Sequence, residues 1–233
     1  MVELIAEIGQ NHNGDMGLAK ELIHAAKASG ADVAKFQLFD ALSTFGKENN
    51  PWFDYNCQTE LSRDQVEMLA DECRNAGIEF MSSVFDVSRI AWLEDVSVKS
   101  HKVASRSVHD RDLLTALGNT GKRLIVSLGM WDASTFPDVT SKGPVDFLYC
   151  ISKYPTPLDD LNFAAVDFTR YAGFSDHTLG ITAPCAAMAR GAKIIEKHFT
   201  LDKTTYGPDH EGSMTPDELS ELDRFRREVV LCL

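Results

Sequence analysis

No apolar run in the sequence approaches the roughly 20 residues that a membrane-crossing helix needs, so no membrane span is expected. Basic residues are scarce against acidic ones. Lys and Arg total 23 and Asp and Glu 35, a formal net charge of −12. An acidic field of that size argues against nonspecific nucleic-acid binding and against an anionic lipid surface as partner. No C-x-x-C pair occurs, and the five cysteines (Cys57, Cys73, Cys150, Cys185, Cys232) are odd in number and widely spaced. They read as reduced packing thiols of a cytoplasmic protein, not as a disulfide framework. Basic residues are also missing from the first nine positions, where Glu3 and Glu7 stand instead, which is unlike a secretory leader. Low-complexity tracts and interdomain linkers are absent, so a single domain over residues 1–233 is expected. What remains, 44% hydrophobic and 25% charged over 233 residues, is ample for one packed core.

Short β-branched or aromatic runs alternate with helical spacing along the whole chain. The pattern predicts strands near residues 3–9, 32–39, 79–85, 100–105, 123–129, 146–152, 172–177 and 192–199. Between the first two, Asp15 stands as N-cap before Leu18, Leu22, Ile23, Ala25 and Ala26, with Gly30 as the stop. Residues 62–76 repeat the arrangement, with Ser62 as cap, Val66, Leu69, Ala70 and Cys73 on one face, and Gly77 at the end. An Ala-rich stretch over 180–190 precedes Gly191, and Thr215-Pro216-Asp217-Glu218 has capping-box spacing with proline at the first helical position. Eight strands interleaved with helices define an α/β protein with a parallel sheet. The count and a length near ~250 residues favour closure into a (β/α)8 TIM barrel over a doubly wound sheet. The fifth and sixth helices, around 131–145 and 161–170, are expected to be shortened. The segment 40–61 is expected to arch over the upper face, with Trp52, Phe53 and Tyr55 as lid contacts.

In a parallel barrel the chemistry gathers at the strands' carboxyl ends, and here those ends are polar. The first strand runs into Gln10-Asn11-His12-Asn13-Gly14-Asp15, and the second ends Lys35-Phe36-Gln37 with Lys35 and Gln37 on one face. The third carries Ser83, the fourth Lys102 with Ser105 and Arg106, the fifth Ser127, and the sixth Ser152 and Tyr154. The seventh places Ser175 and His177 on one face; the eighth does the same with Glu196 and His198. A strand-end serine is commonly only a satisfied turn residue, but ammonium groups inside apolar strands require anionic partners. Lys35 and Lys102 therefore predict a positive funnel that takes phosphate and carboxylate. His177 and His198 read either as an open divalent-metal site or as two hydrogen-bonded core histidines.

The segments Ala6-Glu7-Ile8-Gly9-Gln10-Asn11-His12-Asn13-Gly14, Lys35-Phe36-Gln37, Gly173-Phe174-Ser175-Asp176-His177-Thr178, Glu196-Lys197-His198-Phe199-Thr200-Leu201-Asp202 and Gly207-Pro208-Asp209-His210 resemble the N-acetylneuraminate (sialic acid) synthase family, in order and over essentially the whole chain. The resemblance implies a transferase of carbohydrate biosynthesis. It would condense phosphoenolpyruvate with an aldose or N-acyl hexosamine to a 2-keto-3-deoxy sugar acid, using a divalent metal, manganese or else magnesium. It implies metal ligands at His177 and His198. Lys35, Lys102, Ser83, Ser105, Ser127, Ser152 and Ser175 would form the phosphoenolpyruvate side, and Gln37, Tyr154 and Asp209 the sugar side. Asn11 is counted with the substrate-binding residues, and Lys35, Lys102, Glu196 and Tyr154 are the catalytic candidates.

Three features depart from the family's pattern. Its C-terminal antifreeze-like domain, which lends an arginine to a partner's sugar site, finds no counterpart in the sequence, nor does its N-terminal hairpin. The family's Lys-Ile-x-Ser-Gly-Glu reads here Lys102-Val103-Ala104-Ser105-Arg106-Ser107, so Ser107 replaces a glutamate implicated in proton transfer. Arg106 resembles instead the phosphate-gripping arginine of deoxy-heptulosonate and deoxy-octulosonate phosphate synthases. Glu196 or Glu7 could handle protons in place of the missing glutamate. A homodimer is expected, or a separate partner chain standing in for the missing domain. The competing expectations are a noncatalytic phosphoenolpyruvate- or sugar-acid-binding barrel, and metal-dependent aldose isomerisation.

Overall fold

The computed structural model describes residues 2–232. Eight parallel strands close on themselves in sequence order: β1 (Glu3–Gly9), β2 (Val33–Leu38), β3 (Glu79–Val84), β4 (Ser100–Val103), β5 (Arg123–Ser127), β6 (Val145–Cys150), β7 (Gly173–Asp176) and β8 (Ile194–His198). Helices α1 (Met16–Ala28), α2 (Ala41–Phe45), α3 (Phe53–Thr59), α4 (Arg63–Ala76), α5 (Ile90–Asp95), α6 (Arg111–Asn119), α7 (Thr182–Ala189) and α8 (Pro216–Val229) lie between and around them. This is the (β/α)8 barrel that the strand count predicts.

The local signals act where the spacing puts them. Asp15 accepts from the N–H groups of Gly17 and Leu18 at the start of α1. Ser62 with Gln65 and Thr215 with Glu218 form reciprocal capping boxes on α4 and α8. Gly77 ends α4 at φ 69°, in the left-handed region where a side chain is penalised.

The thinning of the fifth and sixth connections goes to completion. No helix lies between β5 and β6, and only the short 3-10 turns Leu158–Asp160 and Phe163–Ala165 lie between β6 and β7. Aromatic packing covers that flank instead. Phe136 lies 4.8 Å from both Phe147 and Tyr171, and Phe163 packs edge-on against Phe174 at 5.1 Å. Pairs of this kind contribute about 0.5–1.5 kcal/mol each beyond their buried area.

Two apolar regions surround the strands. The larger fills the space between barrel and helices. The smaller is a plug inside the barrel made of Ile5, Val33, Met81, Ile125, Leu148 and Ile194. Two residues further along the same strands, period-two alternation brings Glu7, Lys35, Ser83, Ser127, Cys150 and Glu196 to the same inner face. The floor is therefore dry and sealed, and the layer above it is polar and charged. The register fixes who meets whom, with Glu7 beside Lys35 and His198, Ser83 beside Lys102, and Ser175 beside Glu196. Among the described residues no helix is long and apolar enough to cross a membrane.

The α8 capping box joins the last helix to the β8 loop, so Thr215→Ala is expected to destabilise the chain by about 1 kcal/mol. The urea-unfolding midpoint measures this, and an unchanged midpoint would show the cap to be energetically idle.

Candidate active site

The inner chamber is built around four buried charges. Lys35 Nζ lies 2.7 Å from Glu7 Oε2 and 3.5 Å from Glu196 Oε2, and donates to Ser83 Oγ at 2.9 Å. Lys102 Nζ donates to Ser127 Oγ at 2.8 Å and to the Val103 carbonyl at 3.1 Å, 3.4 Å from Glu196 Oε1. Ser175 Oγ donates to Glu196 Oε1 at 2.9 Å, and the Gln37 amide donates to Glu7 Oε1 at 2.8 Å. Burial works against the charge on Lys35, but Glu196 and Glu7 outweigh it and raise its pKa. For Lys102 burial prevails, helped by the Lys35 charge, and its pKa falls. Burial pushes Glu196 toward its neutral form, and the charges of Lys102 and Lys35 overcome that and hold the carboxyl well below the usual range.

The expected positive funnel is thereby corrected. Two ammonium groups face two carboxylates, so the inner layer is balanced before any ligand enters. Balance is what permits these lysines to sit 2% exposed inside an apolar cylinder.

An outer chamber opens above it. Tyr154, His177 and His198 line both chambers, and Pro155, Leu179, Asp209 and Glu211 line the outer one. The Tyr154 ring packs 4.0 Å from that of His177, and the two imidazole centroids are 6.0 Å apart. His177 Nδ1 lies 2.9 Å from the Ile151 carbonyl, which can only accept, so the proton sits on Nδ1 and Nε2 keeps its lone pair. Burial, with the His198 ring beside it, pushes the His177 pKa down to about 3. His198 Nδ1 is buried without a hydrogen-bond partner, 3.9 Å from Asp209 Oδ2.

Among the described residues there is no group of three or more His, Cys, Asp or Glu side chains that could hold a metal ion. Two imidazoles, His177 held neutral by burial and His198 with an orphaned Nδ1, fit a site in which protein supplies two ligands and leaves the rest open.

Of the sequence candidates, Lys35, Gln37, Ser83, Lys102, Ser105, Ser127, Tyr154, Ser175, His177, Glu196 and His198 line the inner chamber, and Asp209 the outer. Three others lie elsewhere. Asn11 is buried and donates to the Phe199 carbonyl and Ser213 Oγ, both at 2.9 Å, which ties the β8 loop to β1. Arg106 is exposed and turned away on the 3-10 turn Ser105–Ser107, where it donates to the Thr44 carbonyl at 3.0 Å and lies over the Phe45 ring at 4.7 Å. Ser152 sits behind the chamber wall with its hydroxyl unpartnered. A Cβ on Gly129 would meet Ser152 Oγ at 2.5 Å, Cys150 Sγ at 2.8 Å and Ser105 Oγ at 3.0 Å, so only glycine leaves room for this cluster.

The segment 40–61 lines neither chamber. Gln10 donates to Asn56 Oδ1 and Thr59 Oγ1, Tyr55 donates its hydroxyl proton in a bond shared by Gln10 O and Asn13 Oδ1, and Trp52 and Tyr55 pack on Tyr206. It braces the β1 turn instead of roofing the mouth. Sequence reasoning passed over Cys150, whose Sγ is 3.8 Å from His177 Nδ1; its place two residues beyond Leu148 on β6 was the available signal.

A profile of the NeuB family matches residues 22–233. The chain belongs to the NeuB family. It is similar to the N,N'-diacetyllegionaminic acid synthase of Legionella pneumophila, 38% identical over 254 residues (97% of this chain, 71% of that one). It is 34% identical to the human N-acetylneuraminate-9-phosphate synthase, over 97% of this chain and 69% of that one. A crystal structure of the N-acetylneuraminic acid synthetase of Leptospira borgpetersenii in complex with citrate superposes with a TM-score of 0.92 at 32% identity, covering 99% of this chain and 84% of that one. Every residue that lines the two chambers, apart from Glu7 on β1, falls within the stretch matched by the family profile.

Two buried imidazoles resist protonation, since burial lowers His12 to about 4 and His177 to about 3. Protons bind the unfolded chain more readily below its histidine pKa of ~6.5. This stabilisation is complete above pH ~6.5 and is lost as pH falls toward the two folded values. Tm is expected to drop measurably between pH 6.5 and 5, before carboxylates titrate, and His12→Gln should flatten that drop. Equal slopes in the two proteins would contradict the assignment.

Proposed function

We propose that the chain condenses phosphoenolpyruvate with the aldehyde of an open-chain aldose or N-acyl hexosamine. The products are a 2-keto-3-deoxy sugar acid and inorganic phosphate. The observation that carries this reading is the pair of buried lysines, ringed by the hydroxyls of Ser83, Ser105, Ser127 and Ser175, opening directly onto the imidazoles of His177 and His198. Ammonium and hydroxyl donors suit the phosphate and carboxylate of phosphoenolpyruvate. The outer chamber, with Tyr154, Asp209 and Gln37 nearby, suits a polyol.

In this reading Lys35 and Lys102 turn part of their hydrogen bonding from Glu7 and Glu196 to the incoming anion. C3 of the enol attacks the aldehyde carbon, water adds at C2, and the C2–O bond to phosphate breaks. Glu196, held by Ser175, is placed to take the proton from that water, and Glu7 to manage the proton of the new hydroxyl. His177 and His198 would hold a divalent cation, Mn2+ or Mg2+, which when bound supplies positive charge beside the aldehyde oxygen. Tyr154 shields the join between the chambers from bulk water. Arg106 would have to leave Thr44 and Phe45 to reach the phosphate, so phosphate binding is assigned to the lysines and serines.

One observation favours a second reading. Ser107 is buried where relatives of this kind are expected to carry a proton-transferring glutamate, and a barrel without that group could bind phosphoenolpyruvate without turning it over. A phosphate-release screen of phosphoenolpyruvate against aldoses and N-acyl hexosamines, with and without manganese, separates the two. Release with at least one acceptor is expected, together with a loss of 100-fold or more in kcat/KM for Lys102→Met. No release with any acceptor, while phosphoenolpyruvate still binds, would leave only the noncatalytic reading.

Gly129→Ala would drive a methyl into the Ser105, Cys150 and Ser152 side chains. It is expected to weaken phosphoenolpyruvate binding by about tenfold or more with little change in acceptor KM. A variant with wild-type phosphoenolpyruvate affinity would show that the cluster does not serve the anion.

A further inference from the structure

Behind the two histidines lies an ion pair that the chemistry above does not use. Asp176 and Lys197 alternate along β7 and β8 with Ser175, His177, Glu196 and His198, and both residues also border the inner chamber although their side chains are buried. The two residues are register partners on adjacent strands, and their charged atoms meet at 2.8 Å with side chains 0% and 1% exposed. Asp176 Oδ1 also accepts from the Thr178 N–H at 2.8 Å, and Lys197 Nζ donates to the Thr178 carbonyl. The pair therefore ties Asp176, just before His177, to the backbone of Thr178, just after it, and its lysine is the residue that immediately precedes His198.

A buried pair of this kind is poorly explained by stability alone. Desolvation of both charges offsets most of their attraction, and apolar replacements of similar size are often neutral or stabilising. The strands are already joined by their backbone ladder, with Asp176 beside Lys197. What the pair adds is direction. It fixes how the end of β7 turns toward the Thr178 loop relative to the end of β8, which is where both imidazoles leave the backbone.

We propose that Asp176 and Lys197 are positioning residues that set the separation and aim of His177 and His198 so that both can ligate one divalent cation. This rests on the reading of those histidines as metal ligands. The pair makes no contact with substrate in this account. Supporting groups around metal-binding histidines typically change metal affinity by 10–100-fold when removed.

The test is the Asp176→Leu/Lys197→Met double variant of the full chain, measured without acceptor sugar in three ways. Mn2+ affinity is read from the electron paramagnetic resonance signal of free Mn2+, phosphoenolpyruvate affinity by calorimetry in a chelator, and Tm by calorimetric scanning. The expected result is an unchanged or higher Tm, phosphoenolpyruvate affinity within about twofold of wild type, and Mn2+ affinity reduced at least about tenfold. Wild-type Mn2+ affinity in the folded double variant overturns the clamp alone, and so does a parallel loss of both affinities, which marks general loosening. Should the double variant not fold, the isosteric Asp176→Asn is decided on the same readouts. A wild-type chain that does not retain Mn2+ overturns the metal reading and the clamp with it.

Discussion

Four charges buried above a dry plug are the constraint on which the rest of the molecule depends. Lys35, Lys102, Glu7 and Glu196 share the inner face of a barrel whose floor is sealed by Ile5, Val33, Met81, Ile125, Leu148 and Ile194. Each ammonium is tolerable only because a carboxylate and a hydroxyl are within reach. Removing one member of such a set typically costs roughly 3–5 kcal/mol, since its partner is left uncompensated. The network is thus a structural element and a binding element together. Its internal neutrality means that an arriving polyanion makes the site net negative, so a neighbouring cation is electrostatically favoured. His177, which burial keeps from protonation, and His198, whose Nδ1 has no hydrogen-bond partner, stand where that cation would sit.

Much of this was legible in the amino-acid sequence because barrel strands impose a strict alternation. Lys35 with Gln37, Ser175 with His177, and Glu196 with His198 could be placed on shared faces from spacing alone, and the structure brings them to one mouth. The capping residues Asp15, Ser62 and Thr215 were equally plain, since their hydrogen bonds are local. Pairings between distant strands were not. Nothing in the spacing says that Glu7 meets Lys35, so the site read as cationic when it is balanced. Arg106 misled because sequence gives its position beside Ser105 and not the turn of 3-10 helix that swings it onto Phe45. The aromatic segment 40–61 carried the composition of a lid, yet its tyrosine and tryptophan find partners in Tyr206 and the β1 turn.

Membership of the NeuB family fits this geometry. Glu7 and Glu196 are carboxylates of the inner layer, both already engaged with lysine, and in the proposed reaction they would also carry protons. Proton handling then shares its groups with charge compensation, and substrate binding would alter both. The flank between β5 and β7 carries no α-helix and is packed by Phe136, Phe147, Phe163 and Tyr171, while the buried Asp176–Lys197 pair joins the strands that bear the histidines.

The most direct measurement is a crystal structure of the chain soaked with phosphoenolpyruvate and manganese. The account predicts the anion in the inner chamber, its phosphate or carboxylate oxygens within hydrogen-bonding distance of both Lys35 and Lys102, and the manganese on His177 and His198. An anion bound outside the barrel mouth, with Lys35 still paired only to Glu7 and Glu196, would contradict it.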